Sequence, residues 1–89
     1  MIEFDAKKER INKCKHGCSL ALASELFEGI HFSENFDDDP THGEDRWIAT
    51  GLIAERIFVC VYTMRGKVRR IISLRRATRS EAKDYLRNR

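Results

Sequence analysis

The chain has 89 residues, of which 42% are hydrophobic and 35% charged, with one proline, five glycines and a formal charge of +3. That is too apolar and too weakly charged for a disordered chain, and at this length about 60–65% of the unfolded surface can be buried, which suits one domain over residues 1–89. Three cysteines do not make a disulfide framework, the N-terminal Met-Ile-Glu-Phe-Asp has no signal-peptide character, and no apolar run spans a bilayer, so a cytoplasmic chain with free thiols is expected.

A short strand is expected over residues 2–4. Asp5 is placed to cap, and Gly17 to end, a helix over 6–16 that carries Lys7, Lys8, Arg10, Lys13 and Lys15 above a thin apolar face. Ser19 caps a second helix over 20–28, whose stripe is Leu22, Ala23, Leu26 and Phe27, and Gly29 ends it. From Ile30 the pattern alternates, with Ile30, Phe32 and Phe36 on one side of a strand and His31 and Ser33 on the other. Residues 37–45, with Pro40 and Gly43, read as an acidic loop. Strands over 46–54, 57–64 and 67–74 follow, separated by the turn pairs Glu55-Arg56 and Arg65-Gly66. The middle one is apolar on both sides and should be central. Thr78-Arg-Ser-Glu81 is a capping box for a last helix that docks through Ala82, Tyr85 and Leu86. The order β-α-α-β-β-β-β-α predicts an α+β fold: two N-terminal helices, an antiparallel meander and a C-terminal helix.

Charge is segregated along this frame. Residues 34–45 hold six acids and no Lys or Arg, whereas 65–79 hold seven cations and no acid around an apolar centre that includes the pair Ile71-Ile72. Cations on a rigid strand hold a polyanion in a fixed pose, and a guanidinium fork takes two phosphate oxygens at once. A phosphate-gripping surface of Arg69, Arg70, Arg75 and Arg76, joined by Lys8, Lys13 and Lys15, is therefore expected, although alternation puts Arg69 and Arg70 on opposite faces. A solvated basic face paired with the acidic loop is the plainer reading, and composition does not separate the two. Tyr62 and Tyr85 fit the core better than a base-stacking role. Cys14, His16 and Cys18 are close in sequence, but Gly17 interrupts the helix between them and no second ligand pair completes a zinc site. Cys60 reads as core, and Asp37, Asp38 and Asp39 as a solvated turn. No glycine-rich phosphate loop is present, and neither metal nor cofactor is expected.

Phe4-Asp5, Lys8, Asn12, Lys15-His16-Gly17, Leu26-Phe27, Glu44-x-Arg46, Gly51, Val59-x-Val61-Tyr62 and Arg70-Ile-Ile-Ser-x-Arg75-Arg-Ala-Thr78, with Glu81 and Tyr85, follow in order. In that order and spacing the chain resembles, from end to end, the BrnT family of type II toxins. It departs at Cys18, where the family usually has a branched apolar residue, and at Leu74, where it usually has alanine. The resemblance implies a compact RelE-like ribonuclease fold and metal-independent RNA cleavage that arrests growth by blocking translation. It also implies neutralisation by a BrnA-type antitoxin, a ribbon-helix-helix protein through which the complex reaches operator DNA.

Such cleavage needs a base for the ribose 2′-hydroxyl, cations for the phosphorane and an acid for the leaving 5′-oxygen. Within the resemblance, His16 and Glu44 are the proton-transfer candidates, the imidazole because it titrates near neutrality. Arg46, Arg70 and Arg75 are the catalytic charge stabilisers. Lys15, Arg69, Arg76 and Tyr85 are candidates for binding the RNA substrate, although Tyr85 suits an anchoring role better. The alternatives are a non-catalytic RNA- or DNA-binding regulator that uses the same basic strand, and an adaptor whose basic face meets only protein.

Overall fold

The computed structural model describes residues 1–88, apart from the side chain of residue 42. It is an α+β structure with three α-helices and a five-stranded mixed sheet. The chain order is β1 (Ile2–Glu3), α1 (Ala6–His16), a 3-10 turn (Leu20–Leu22), α2 (Ala23–Glu28), β2 (Ser33–Asp37), a second 3-10 turn (Pro40–His42), β3 (Arg46–Ile53), β4 (Arg56–Arg65), β5 (Val68–Arg76) and α3 (Arg79–Asn88). Strands lie in the order β1-β5-β4-β3-β2. The last four form the expected antiparallel meander with β4 in its interior, while β1 adds in parallel to β5, so the sheet is not purely antiparallel. No helix among the described residues is long and apolar enough to cross a membrane.

Local chemistry explains most of the element ends. Asp5 Oδ1 accepts the Lys8 N–H at 2.7 Å, and Gly17, at φ +72°, closes α1 by donating to the Lys13 carbonyl at 2.9 Å. The capping box of α3 forms in both directions: Glu81 N–H donates to Thr78 Oγ1 at 3.2 Å, and Thr78 N–H to Glu81 Oε1 at 2.8 Å.

Three of the departures from the sequence reading have a clear local cause. The second helix opens as a 3-10 turn, where the Ser19 hydroxyl accepts from Ala21, and becomes α-helical only from Ala23. The β3–β4 turn is Ala54-Glu55, one residue earlier than expected, with both residues at positive φ as a primed two-residue hairpin demands. Strand β2 begins at Ser33 rather than Ile30, because the His31 carbonyl is taken by the Tyr85 hydroxyl of α3 instead of a neighbouring strand.

The two N-terminal helices cover one face of the sheet. There Leu20, Ala23 and Leu26 pack on Ala49 and Ile53 of β3, Phe58, Cys60 and Tyr62 of β4, and Ile71 and Leu74 of β5. Gly51 makes this fit possible: a Cβ on it would lie 2.9 Å from Phe32 Cβ and 3.1 Å from Leu26 Cγ. The other face carries α3 at one end, with Tyr85 and Val59 only 5% and 3% exposed, and is otherwise open to half-buried side chains such as Ile48 and Val61.

One buried side chain ties α1 to this frame. Strand β1 covers only the Arg69–Arg70 part of the outer edge of β5. Further along, Leu74 N–H donates to Asn12 Oδ1 at 2.9 Å, and Asn12 Nδ2 donates to the Leu74 carbonyl at 2.8 Å and the Cys18 carbonyl at 3.0 Å. The carboxamide thus pairs with β5 as one residue of a strand would, and satisfies backbone groups that would otherwise be buried alone. The Cys18 thiol also reaches the Leu74 carbonyl, at 3.3 Å, and burial pushes that thiol above its ordinary pKa. Cys18 and Leu74, the two positions at which the chain departs from the resemblance, therefore touch each other.

Candidate nucleic-acid interface

The geometry of the basic strand turns on one extra residue. Val61 of β4 pairs with Ser73 of β5, but the next residue, Tyr62, pairs with Ile71, leaving Ile72 as a bulge in β5. A bulge resets side-chain alternation. In an unbroken strand Arg70 and Arg75, five positions apart, would point to opposite faces. With Ile72 inserted they share the open face, while Arg69 and Arg76 fall on the helix-covered side with Ile71 and Leu74.

Strand register arranges the open face in three rows. One holds Asp37 beside Arg46, then Thr63 beside Arg70, with Glu3 of β1 beyond. The second runs Asn35, Ile48, Val61, Ser73, and the third Ser33, Thr50, Val59, Arg75. Successive rows are two residues apart along each strand, about 7 Å. The face therefore carries arginines paired with carboxylates at one end, is apolar in the middle and is overhung by α3 at the other end.

Each arginine on this face is held by carboxylate. Arg70 donates through Nη1 to Glu3 and through Nη2 to Asp5 at 3.4 Å. Asp5 stays below the usual carboxylate range, chiefly because the Lys8 N–H binds it, with the Arg70 charge adding to that. Arg46 lies 3.9 Å from Glu44, and its buried Nε has no hydrogen-bond acceptor among the described residues. Beside it the Thr63 hydroxyl donates to the Asp45 carbonyl at 2.7 Å, which fastens the end of the acidic loop to β4. Arg75 makes a two-pronged contact with Glu81, at 2.7 and 2.8 Å, which holds the Glu81 carboxyl down at about 2 and raises Arg75 in return.

The remaining candidates lie elsewhere. The Arg69 guanidinium stacks 4.1 Å above the Phe27 ring, 5.5 Å from Tyr62 and 5.7 Å from Phe32, with Glu34 at 3.5 Å. Phe27 in turn meets Tyr62 and Phe32 edge-on at 5.3 Å, so Arg69 clamps α2 to the sheet. Helix α1 passes from Asp5, beside Arg70, to Asn12, beside Leu74, and so carries Lys15 and His16 to the Arg76 end of β5. By helical rise His16 is about 16 Å from Asp5. Lys15, His16 and Arg76 are exposed there. Tyr85 is buried and its hydroxyl donates to the His31 carbonyl, which anchors α3.

The structure thus brings Glu44, Arg46 and Arg70 to one end of the open face and Arg75 to the other, and does not bring Lys15 or His16 to them. Sequence reasoning missed the pairing of Asn12 with Leu74, the Ile72 bulge and the use of Glu81 as the partner of Arg75. The bulge did leave a trace, since two adjacent isoleucines break a period of two. Among the described residues no three His, Cys, Asp or Glu side chains gather as metal ligands would. A family model described as "Ribonuclease toxin, BrnT, of type II toxin-antitoxin system" matches residues 4–81. No curated protein matches the chain.

Proposed function

Because the chain belongs to the BrnT family of ribonuclease toxins of type II toxin–antitoxin systems, we propose that it cuts RNA on the open face of its sheet, as a RelE-like enzyme needing no metal. Type II membership gives it a protein antitoxin as partner. The observation that supports this placement is the Ile72 bulge, which turns Arg70 and Arg75 to the face that already carries Arg46. Guanidinium groups on a rigid sheet hold a phosphodiester in one pose and meet the charge that grows on it during cleavage.

In this reading Glu44 takes the proton of the 2′-hydroxyl, being the carboxylate beside Arg46. The 2′-oxygen attacks phosphorus, the bond from phosphorus to the 5′-oxygen breaks, and a 2′,3′-cyclic phosphate and a 5′-hydroxyl remain once a proton reaches the leaving oxygen. Arg46 and Arg70 stabilise the phosphorane, and Arg75 holds the flanking phosphate. His16 stands at the far end of α1, so the proton role passes to Glu44. Cut messages halt translation, and a BrnA-type antitoxin with a ribbon-helix-helix end covers the open face and carries the complex to its operator.

The test is the chain freed of its antitoxin and incubated with RNA in EDTA. Shortened RNA is expected. Intact RNA bound with salt-sensitive affinity would favour the non-catalytic regulator, for which the carboxylate already paired to each arginine is the supporting observation. No salt-sensitive RNA binding at all would leave the protein adaptor.

A further inference from the structure

A groove of about 550 Å³ lies where α3 overhangs the third row of the open face. Its walls include Ser33, Asn35 and Thr50 from the sheet and Asp84, Tyr85 and Asn88 from the helix. No Lys or Arg lines it among the described residues, so it is not a phosphate site. Its polar side chains are amides, hydroxyls and carboxylates, with His31 also among the lining residues; they match the hydrogen-bonding edge of an uncharged ring, and Tyr85 supplies an aromatic wall. Glu81 also lines the groove, yet both its oxygens are engaged by Arg75. Asp84, at the open rim, has only a 4.0 Å contact with Arg87 and keeps its carboxylate available.

Register links this groove to the cations. Thr50 pairs with Val59, and Val59 with Arg75, so the groove floor and Arg75 belong to one row and are two strands apart, about 10 Å. A nucleotide whose phosphate lies on Arg75 has its base directed along that row into the groove. Resting on the RNA-cleaving reading above, we infer that the groove is a nucleobase subsite that sets the cleavage preference and takes guanine before other bases. Guanine alone presents two adjacent N–H donors, N1–H and the 2-amino group, to the two oxygens of one carboxylate, here Asp84. Asn35 and Asn88 meet its acceptors. Uracil offers one imino donor between two carbonyls and fits an acidic rim worst.

The experiment compares wild type with Asp84→Asn and Asn35→Ala on a pool of random-sequence RNA, mapping every cut. Wild type is expected to favour guanine at one fixed position from the cut by about tenfold, the discrimination of one good two-pronged contact. Asp84→Asn should flatten that preference by lowering cutting at guanine about tenfold, while cutting at the other bases changes by less than about threefold, since Asp84 touches no phosphate. An unchanged preference in both variants, or an equal rate loss at every sequence, overturns the inference. If RNA is never cut, the ribonuclease reading fails separately. The subsite is then tested by fluorescence titration of a uridine oligomer with and without a single guanine. About tenfold tighter binding of the guanine oligomer, abolished in Asp84→Asn, supports it, and equal binding overturns it.

Discussion

Arg69 and Arg70 are consecutive in β5, yet the two faces of the sheet use them for different ends. On the helix-covered face, Arg69 is sandwiched against Phe27, Phe32 and Tyr62 and paired with Glu34, so its charge is spent on holding α2 and β2 to the sheet. On the open face, Arg70 sits in a row with Arg46 and Thr63, held by carboxylates of β1 and the α1 cap. Position in a basic run says little about use. What decides it is the face on which the backbone presents each side chain, and here one bulged isoleucine makes that decision.

The sharpest way to break the comparison is to insert one alanine between Arg70 and Ile71. With the pairing from Ile71 onward kept, the alanine takes the open position opposite Thr63 and Arg70 turns to the helix side. Cleavage should fall by about a thousandfold, as for losing the main charge stabiliser, while urea unfolding stays cooperative. Retained cleavage would show that the face presented by Arg70 does not set the site. Next, Asn12→Ala removes three hydrogen bonds from the covered edge and should cost about 3 kcal/mol in the same unfolding measurement. A cost under about 0.5 kcal/mol would mean that water replaces the carboxamide.

The smallest effect concerns Arg75 and Glu81. Glu81 titrates at about 2 in the folded chain against an ordinary value of 4.5, so it binds protons less readily when folded. The pair therefore adds its stability above pH 4.5 and loses it as pH falls toward 2. Because both side chains are partly exposed, the amount is no more than about 1 kcal/mol. Wild type and Glu81→Gln should differ in unfolding free energy at neutral pH and converge near pH 2. A gap that persists at pH 2 would assign it to the helix cap rather than to the ion pair.

Periodicity carried much of the fold. The meander, the interior place of β4 and the α3 cap were all legible because each depends on residues a few positions apart. The candidate site was legible in part. Composition pointed to Arg70 and Arg75 among the cations of the basic run and the family resemblance added Arg46, while the face they share depends on a register shift between strands. Asn12 looked like one more polar residue on a lysine-rich helix, because its partner, Leu74, is remote in the chain. Lys15 and His16 do lie by the basic strand, but at its Arg76 end, away from Arg46 and Arg70. Strand β1 shows the same limit, since two residues carry too little pattern to announce a parallel pairing.

The central claim is that RNA is worked on the open face and not on the covered one. The most direct test measures RNA cleavage and thermal unfolding on the pair Arg70→Ala and Arg69→Ala. Arg70→Ala should lose about a hundredfold or more in cleavage with its melting transition nearly intact. Arg69→Ala should keep cleavage within about threefold and lose about 1–2 kcal/mol of stability with its aromatic contacts. The reverse pattern, cleavage lost with Arg69 and kept without Arg70, would contradict the account.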